Sequence, residues 1–201
     1  GGAGMSGIAE ILLANGFKVT GSELIASEIT QRLEKLGATI HIGHRSEWVE
    51  NVNCVVYSSA IQSDNIELVE ARRKRIPVIS RAEMLAELMR MKTSIAVSGT
   101  HGKTTTTSLI ATIFNSHPQL KPTAIIGGRL IKSGSGVIRG EGDILIAEAD
   151  EFDRSFLKLN PTYVVITNID NDHLECYGSF EELKSAFIQF ANRVPFWGKV
   201  F

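Results

Sequence analysis

A glycine-rich turn that ends in a lysine and a threonine lies at the middle of the chain. Its residues are Gly99, Thr100, His101, Gly102, Lys103, Thr104 and Thr105. It follows the apolar run SIAVS and precedes the helix-like run TTTTSLIATIFNS, which is the order found in phosphate-binding loops. In such a loop, backbone N–H groups surround phosphate oxygens, Lys103 would neutralise them and the Thr104 hydroxyl would ligate Mg²⁺.

The alternative for this turn is a glycine-capped connection before a threonine-rich helix. Position 97 is Val, so the turn has a shorter G-x-x-G-K-T form than the full phosphate-loop pattern. Consecutive threonines are poor helix formers, and the sequence shows no packing role for Lys103 in a glycine turn. We therefore predict a phosphate site.

A second glycine-rich turn opens the chain, with a G-x-G-x-x-G pattern at Gly2, Gly4 and Gly7. A helix follows it, and acidic Glu23 comes about 20 residues later, just past the next strand. Glycines let the backbone approach a diphosphate, and a carboxylate at that strand tip can accept hydrogen bonds from ribose hydroxyls. NAD and a nucleotide-sugar diphosphate are both candidate ligands, and a tight turn needed only for packing is the alternative.

Four carboxylates follow the buried-type strand DILIA within six residues, at Glu148, Asp150, Glu151 and Asp153. Ligands of open α/β sheets bind at the carboxyl ends of strands. Mg²⁺ needs only one or two carboxylates beside phosphate oxygens and water. We predict Glu148 as a metal ligand and leave Glu151 open, with a solvated acidic loop as the alternative.

Polar residues also follow the next apolar strand, YVVIT, in the segment from Asn168 to His173. We predict that this segment contacts substrate or a second Mg²⁺ in the same crevice. Zinc is excluded because Cys176 has no second Cys or His at ligand spacing. His101 would touch phosphate or cap the turn. The remaining histidines, His41, His44 and His117, are predicted at the surface.

Helix-like stretches alternate with short apolar strands along the chain. The predicted strands are 18–22, 38–42, 54–57, 78–79, 93–98, 143–147 and 163–167, and the predicted helices are 6–16, 27–36, 65–75, 81–91, 104–116 and 180–193. This order predicts an α/β fold with parallel sheets. We expect a Rossmann-like domain over 1–92 that lacks its first strand, and an incomplete phosphate-loop α/β domain over 93–201.

Composition excludes several classes of protein. The 201 residues carry 21 Lys and Arg against 22 Asp and Glu, so there is no broad basic face for nucleic acid and no polybasic membrane patch. No apolar run is long enough to cross a bilayer and no secretion leader is visible. Because Cys54 and Cys176 form no disulfide framework, we expect a cytoplasmic protein.

Four segments taken in order resemble the Mur ligase family, the ATP-dependent amide-forming enzymes of peptidoglycan precursor synthesis. They are GGAGMSGIAEIL, SGTHGKTTTTSLI, EADEFDRSFLKLNP and TNIDNDHLECYGSFEELKSAF, and the resemblance covers the chain from the first segment to the last and beyond. The resemblance implies Lys103 on the ATP phosphates, Thr104 and Glu148 on a first Mg²⁺, and His173 as a catalytic residue near a second metal. It further implies contacts to a UDP-linked substrate from Gly2, Gly4, Ser6, Ser22 and Glu23.

The resemblance also implies a reaction. ATP would phosphorylate the carboxylate of UDP-N-acetylmuramate, and the amine of L-alanine would attack the acyl phosphate. These ligases have a third, carboxyl-terminal domain outside the four segments, so we expect the 201 residues alone to be inactive, and alanine-dependent phosphate release from them would contradict this. A tripeptide-recycling ligase of the same family, a dinucleotide-dependent oxidoreductase and a nucleotide-sensing module without turnover are the alternatives.

Overall fold

The structure is a computed structural model that describes residues 2–127, 136–172 and 174–201, except for the side chains of Ala3 and Leu174. The chain divides into two compact units, Gly1–Met84 and Leu85–Phe201. This division lies within a helix, Arg81–Arg90, so the boundary near residue 92 stays a prediction. Among the described residues, no helix is long and apolar enough to cross a membrane.

The first unit alternates helices with short strands. Its elements are α1 (Ala3–Ala14), β1 (Thr20–Glu23), α2 (Glu28–Lys35), β2 (Thr39–Ile42), a 3₁₀ helix (Ser46–Val49), β3 (Val55–Tyr57), α3 (Ile66–Arg73), β4 (Val78–Ser80) and the start of α4 (Arg81–Arg90). Local chemistry explains the start of α2, because Ser27 and Thr30 cap each other's backbone N–H groups.

The four strands of this unit form two separate parallel pairs, β1 with β2 and β3 with β4. The parallel direction agrees with the sequence prediction. No strand among the described residues joins the two pairs into one sheet. The glycine-rich turn at Gly2 begins α1 directly, and Ser22 and Glu23 end β1.

The second unit is built on one six-stranded sheet. Its elements are β5 (Thr93–Ser98), α5 (Lys103–Asn115), β6 (Thr123–Ile125), β7 (Val137–Ile138), β8 (Ile144–Glu148), a 3₁₀ helix (Ser155–Lys158), β9 (Tyr163–Ile166), α6 (Leu174–Tyr177), α7 (Phe180–Ala191) and β10 (Lys199–Val200). The strand order is β10-β9-β5-β8-β6-β7. All neighbours are parallel except β6 and β7, which pair antiparallel and correct the expectation of wholly parallel sheets.

Continuous apolar strands supply the core of this unit. Residues Ile95, Val97 and Ile146 pack with Ala111 of α5 and Ala124 of β6 in one buried cluster. A central parallel strand is covered on both faces, so its side chains are buried on both sides instead of alternating between core and solvent. Five of the six residues of β5 are buried, as this requires.

Three phenylalanines form a second buried cluster, where the 3₁₀ helix at 155–158 meets α7. Phe156 is fully buried, and its ring centroid lies 5.3 Å from that of Phe187 and 4.8 Å from that of Phe190. Such pairs contribute beyond the burial of their area. The cluster fixes the segment that follows Glu148 against α7.

We predict that Phe156→Ala lowers the free energy of unfolding by about 3–5 kcal/mol, because it removes apolar contacts and leaves a cavity. Phe196→Ala is the matched control, since Phe196 is 98% exposed in this chain and its loss should change stability by less than about 0.5 kcal/mol. Urea unfolding of both variants measures the difference. Equal losses would contradict the assigned role of the cluster.

Candidate phosphate-binding site

Three segments of the second unit meet at the carboxyl edge of its sheet. The strand β5 lies between β8 and β9, with Val97 paired in register to Glu148 on one side and to Val165 on the other. The turn after β5, the acidic segment after β8 and the polar segment after β9 therefore start at the same level. The register thus brings together the three segments that the sequence analysis singled out.

Gly99 allows the turn to lie against the end of β9. Its φ is +134°, and a Cβ built on it would lie 2.1 Å from Thr167 Oγ1 and 2.9 Å from the Asn168 carbonyl oxygen. No side chain fits that space. Gly99 is therefore required both for its backbone conformation and for this close approach.

Asn168 holds the next two residues of the turn. The His101 N–H donates to Asn168 Oδ1 at 3.0 Å, and Asn168 Nδ2 donates to the His101 carbonyl at 3.0 Å. The Thr100 N–H donates to the Asn168 carbonyl at 3.2 Å. These two N–H groups are thus used inside the protein.

The start of α5 leaves the next N–H groups available. Gly102 caps the helix in a left-handed conformation, with φ +81° and no side-chain cap. For the N–H groups of Gly102, Lys103 and Thr104 there is no acceptor in the described part of the chain. Together with the helix dipole, these donors can hold an anion such as a phosphate oxygen.

Lys103 points back into the turn. Its Nζ donates to Glu151 Oε1 at 2.7 Å, to Glu151 Oε2 at 2.9 Å and to the Gly99 carbonyl at 2.7 Å. The Glu151 side chain is completely buried and that of Lys103 is 18% exposed. The expectation that Lys103 has no packing role was wrong, because the pairing with Glu151 neutralises a buried carboxylate. The sequence analysis had left Glu151 without an assigned role.

Glu148 is held next to the first turn of α5. Its Oε2 accepts a hydrogen bond from Thr104 Oγ1 at 3.2 Å, and its Oε1 accepts one from the Gly127 N–H at 2.7 Å. Glycine at 127 lets the carboxylate come this close, since a Cβ built there would lie 2.7 Å from Glu148 Oε2. The sequence analysis did not identify Gly127. A hydroxyl and a carboxylate that lie together beside a phosphate loop are oxygen ligands of the type that Mg²⁺ prefers.

The other two carboxylates of the acidic segment serve its own backbone. Asp150 accepts from the Phe152 N–H at 3.2 Å, and Asp153 accepts from the Ser155 N–H at 2.9 Å. In the described ranges, no group of three or more His, Cys, Asp or Glu side chains could hold a metal by itself. The four carboxylates therefore divide into one beside Thr104, one beside Lys103 and two that order the loop.

The segment after β9 contacts the turn after β5 through its backbone and through the Asn168 side chain. The Asp170 N–H donates to Thr100 Oγ1 at 2.9 Å, and the exposed His101 ring lies 3.7 Å from Asp170 Oδ2. The predicted catalytic and metal residue His173 lies outside the described residues. Thr105 is exposed on α5 and, like the other predicted phosphate-site residues, keeps its role as a prediction.

Tyr177 holds the backbone of the acidic segment through a hydrogen bond. It is buried, and its hydroxyl donates a hydrogen bond to the Glu151 carbonyl. Burial raises the pKa of Tyr177 to about 12, although the Arg154 guanidinium 4.7 Å from its ring centroid acts in the opposite direction. The protonated phenol is therefore the form that this site requires.

In the first unit, the predicted diphosphate residues lie at the start of α1. Gly2 caps this helix without a side-chain hydrogen bond, and there is no acidic residue in the first turn. A Cβ built on Gly4 would lie 2.8 Å from Arg81 Nη1, so the glycine lets a guanidinium approach the helix start. Ser6 is buried. The sequence analysis did not identify Arg81, which it treated as part of a helix former.

Ser22 belongs to a polar cluster at the end of β1. Its hydroxyl donates to Glu67 Oε2 at 2.8 Å and lies 3.0 Å from His44 Nδ1, which also lies 3.0 Å from Glu67 Oε1. The His44 side chain is 20% exposed, so this predicted surface residue is partly buried. His41 stacks on Trp48 with ring centroids 3.8 Å apart. His117 is exposed, as expected.

We predict that Gly99→Ala lowers the free energy of unfolding by about 3 kcal/mol or more, because backbone strain and the clash with Thr167 add together. Gly102→Ala separates the two effects. Its φ is also positive, but no atom lies within 4 Å of the added Cβ, so we expect a loss of about 1–2 kcal/mol. Denaturant unfolding gives both values, and a smaller loss at position 99 than at 102 would contradict the close approach.

We predict that stability falls between pH 10 and about 12 more steeply in the wild type than in Tyr177→Phe. The unfolded tyrosine ionises near pH 10 while the folded one stays protonated, so the folded state binds more protons and loses stability as pH rises. Unfolding free energies at pH 9 and pH 11 measure this (about one unit on either side of the ordinary tyrosine pKa). Parallel losses in the two proteins would contradict the raised pKa.

Comparisons with known proteins agree with these features. Residues 1–93 match the family model described as Mur ligase family, catalytic domain, and residues 97–200 match the Mur ligase middle domain. The UDP-N-acetylmuramate--L-alanine ligase of Geotalea daltonii is 59% identical over 198 residues, which cover 98% of this chain and 43% of that protein. The chain therefore spans less than half the length of such curated relatives.

Two solved structures are similar. The crystal structure of UDP-N-acetylmuramate-alanine ligase from Thermotoga maritima gives a TM-score of 0.83 at 34% identity, over 96% of this chain and 46% of that one. The crystal structure of UDP-N-acetylmuramate:L-alanyl-gamma-D-glutamyl-meso-diaminopimelate ligase from Neisseria meningitides gives a TM-score of 0.85 at 24% identity, over 100% of this chain and 68% of that one. At this identity the similarity supports only the fold.

The predicted α/β class, a Rossmann-like domain followed by a phosphate-loop domain, is confirmed by these matches. They do not favour the tripeptide-recycling ligase or the oxidoreductase. The middle-domain match alone covers more than half of the 201 residues, and the chain therefore belongs to the Mur ligase family.

Proposed function

We propose that the protein of which these residues are part joins L-alanine to the carboxylate of UDP-N-acetylmuramate at the expense of ATP, in peptidoglycan precursor synthesis. The γ-phosphate of ATP is transferred to the carboxylate, and the amine of L-alanine displaces phosphate from the acyl phosphate. The sugar nucleotide and the amino acid are those in the name of the relative that is 59% identical.

The observation that carries the phosphate chemistry is the arrangement at the start of α5. Three backbone N–H groups, the Lys103 ammonium and the Thr104–Glu148 pair lie in one short stretch at the carboxyl edge of the sheet. Phosphoryl transfer needs positioning and neutralisation of charge rather than a covalent protein nucleophile. The site supplies both.

We further propose that Thr104 and Glu148 hold Mg²⁺, with His173 near a second metal. The donor set at 104 and 148 fits, because both groups are hard oxygen ligands and the remaining positions would belong to phosphate oxygens and water. When bound, Mg²⁺ would neutralise charge on the phosphate oxygens. The Gly127 N–H fixes the carboxylate of Glu148 for this role.

The UDP moiety would bind in the first unit. The uncapped start of α1 offers N–H donors for the diphosphate, and Arg81 adds a guanidinium that can form bidentate hydrogen bonds with phosphate. Gly2 and Gly4 leave the room for it, and Ser6 lies in the next turn of backbone. Ser22 and Glu23 at the tip of β1 would contact uridine or ribose.

We also propose a cytoplasmic location. Cys54 and Cys176 are both free thiols, which suits a reducing compartment.

We predict that the full-length protein releases phosphate from ATP only when UDP-N-acetylmuramate and an amino acid are both present, and fastest with L-alanine. Lys103→Ala should lower this rate by about 100-fold or more, because charge neutralisation on the transferred phosphoryl group is lost. The assay compares L-alanine with L-serine, glycine and the tripeptide.

Lys184→Ala is the matched control, since Lys184 is an exposed cation in the same unit that pairs with Glu181. It should keep the full rate. Preference for the tripeptide would overturn the choice of L-alanine. Tight binding of ATP without any phosphate release would indicate a nucleotide-sensing module.

A further inference from the structure

All three protons of the Lys103 ammonium are already used within the protein. Two face the oxygens of Glu151 and one faces the Gly99 carbonyl, at 2.7–2.9 Å, while the Thr100 carbonyl lies farther away at 3.5 Å. An ammonium has three donors and no acceptor. A phosphate that binds Lys103 must therefore replace one of these acceptors.

The two kinds of acceptor differ in what their loss costs. The carboxylate of Glu151 is completely buried, and taking a cation away from a buried carboxylate is strongly destabilising. A neutral backbone carbonyl that loses a donor costs much less. Losing the contact with Gly99 is therefore the less costly exchange, and Lys103 would keep its contact with Glu151 when a phosphate binds.

Several contacts hold Glu151 in place for this task. Its carbonyl accepts the hydroxyl of buried Tyr177 and a hydrogen bond from the Arg154 N–H at 3.0 Å. Phe156, packed between Phe187 and Phe190, fixes the following turn. The backbone of Glu151 is thus anchored and its carboxylate is buried, whereas Lys103 reaches it through a flexible four-carbon side chain.

We propose that Glu151 is a positioning residue, which fixes the Lys103 ammonium at one point of the phosphate loop during phosphoryl transfer. This deepens the proposed function and rests on it. Glu151 acts through Lys103 and does not itself touch ATP. It sets where the positive charge lies, while its own negative charge lowers the attraction of the loop for free nucleotide.

The decisive variant is Glu151→Gln in the full-length protein, because it keeps the shape of the side chain and removes its charge. We predict a kcat lower by about 10- to 100-fold, which is the scale of loss expected when a reacting group is displaced by about 1 Å. The Kd of a non-hydrolysable ATP analogue, measured by calorimetry, should stay the same or become tighter. A structural role would instead weaken binding and turnover together.

Glu151→Asp provides the second test, and it applies even where the glutamine variant folds poorly. It keeps the charge but withdraws the carboxylate by one methylene, so we again expect a lower kcat. Near wild-type turnover in this variant would show that charge alone matters and would overturn the proposal. In a Lys103→Ala background, Glu151→Gln should lower kcat no further.

Glu141→Gln is the matched control, since Glu141 is 85% exposed and pairs with Lys121 at the surface of the same unit. It should leave kcat and Kd unchanged. If the wild type releases no phosphate, the proposed function fails. If the wild type is active and Glu151→Gln retains its kcat, the proposal for Glu151 fails by itself.

Discussion

The close approach of Gly99 to the end of β9 is the constraint on which the phosphate loop depends. The turn lies so near Thr167 and Asn168 that no Cβ fits, and Asn168 then binds both backbone groups of His101. This contact uses up the first N–H groups of the turn and leaves those at the start of α5 available. The position of the candidate anion site is therefore set by β9 as well as by the loop itself.

Charge balance is the second constraint. Glu148 ends β8 and Glu151 comes three residues later, yet they face different partners, Thr104 and Lys103. One lies where a cation can bind and the other neutralises a lysine inside the protein. Two nearby carboxylates without such separate partners would repel each other and favour protonation of one of them. Because each carboxylate has its own partner, both can stay ionised within one small site.

Sequence reasoning predicted most of the helices and strands because the apolar strands and amphipathic helices of this chain have clear periods. It also placed Lys103, Thr104 and Glu148 at one sheet edge, since parallel strands bring their carboxyl ends together. It missed β6 and β7, which have three and two residues and leave almost no pattern. Whether so short a segment forms a strand depends on pairing with residues far away in sequence. The pattern of apolar residues within the segment does not contain that information.

The residues that sequence reasoning missed, or named without a definite role as with Glu151, have one physical reason in common. Gly127, Glu151 and Arg81 act through contacts with residues 21, 48 and 77 positions away, respectively. A glycine is recognisable in a turn motif, but a glycine that makes room for a distant carboxylate resembles any other. His44 was likewise predicted at the surface, because its partners Ser22 and Glu67 become visible as partners only after folding.

The two glycine-rich turns differ in the charged side chains that lie beside their helix starts. At the turn in the second unit, Glu151 balances Lys103, so the net positive charge next to the helix start is small. At the start of α1, Arg81 lies against the positive end of a helix, and no carboxylate among the residues described pairs with it. A guanidinium and a helix N-terminus repel each other unless an anion lies between them. The first turn therefore carries its positive charge unbalanced, whereas at the second turn the carboxylates of Glu151 and Glu148 lie beside Lys103 and Thr104 and offset the lysine charge.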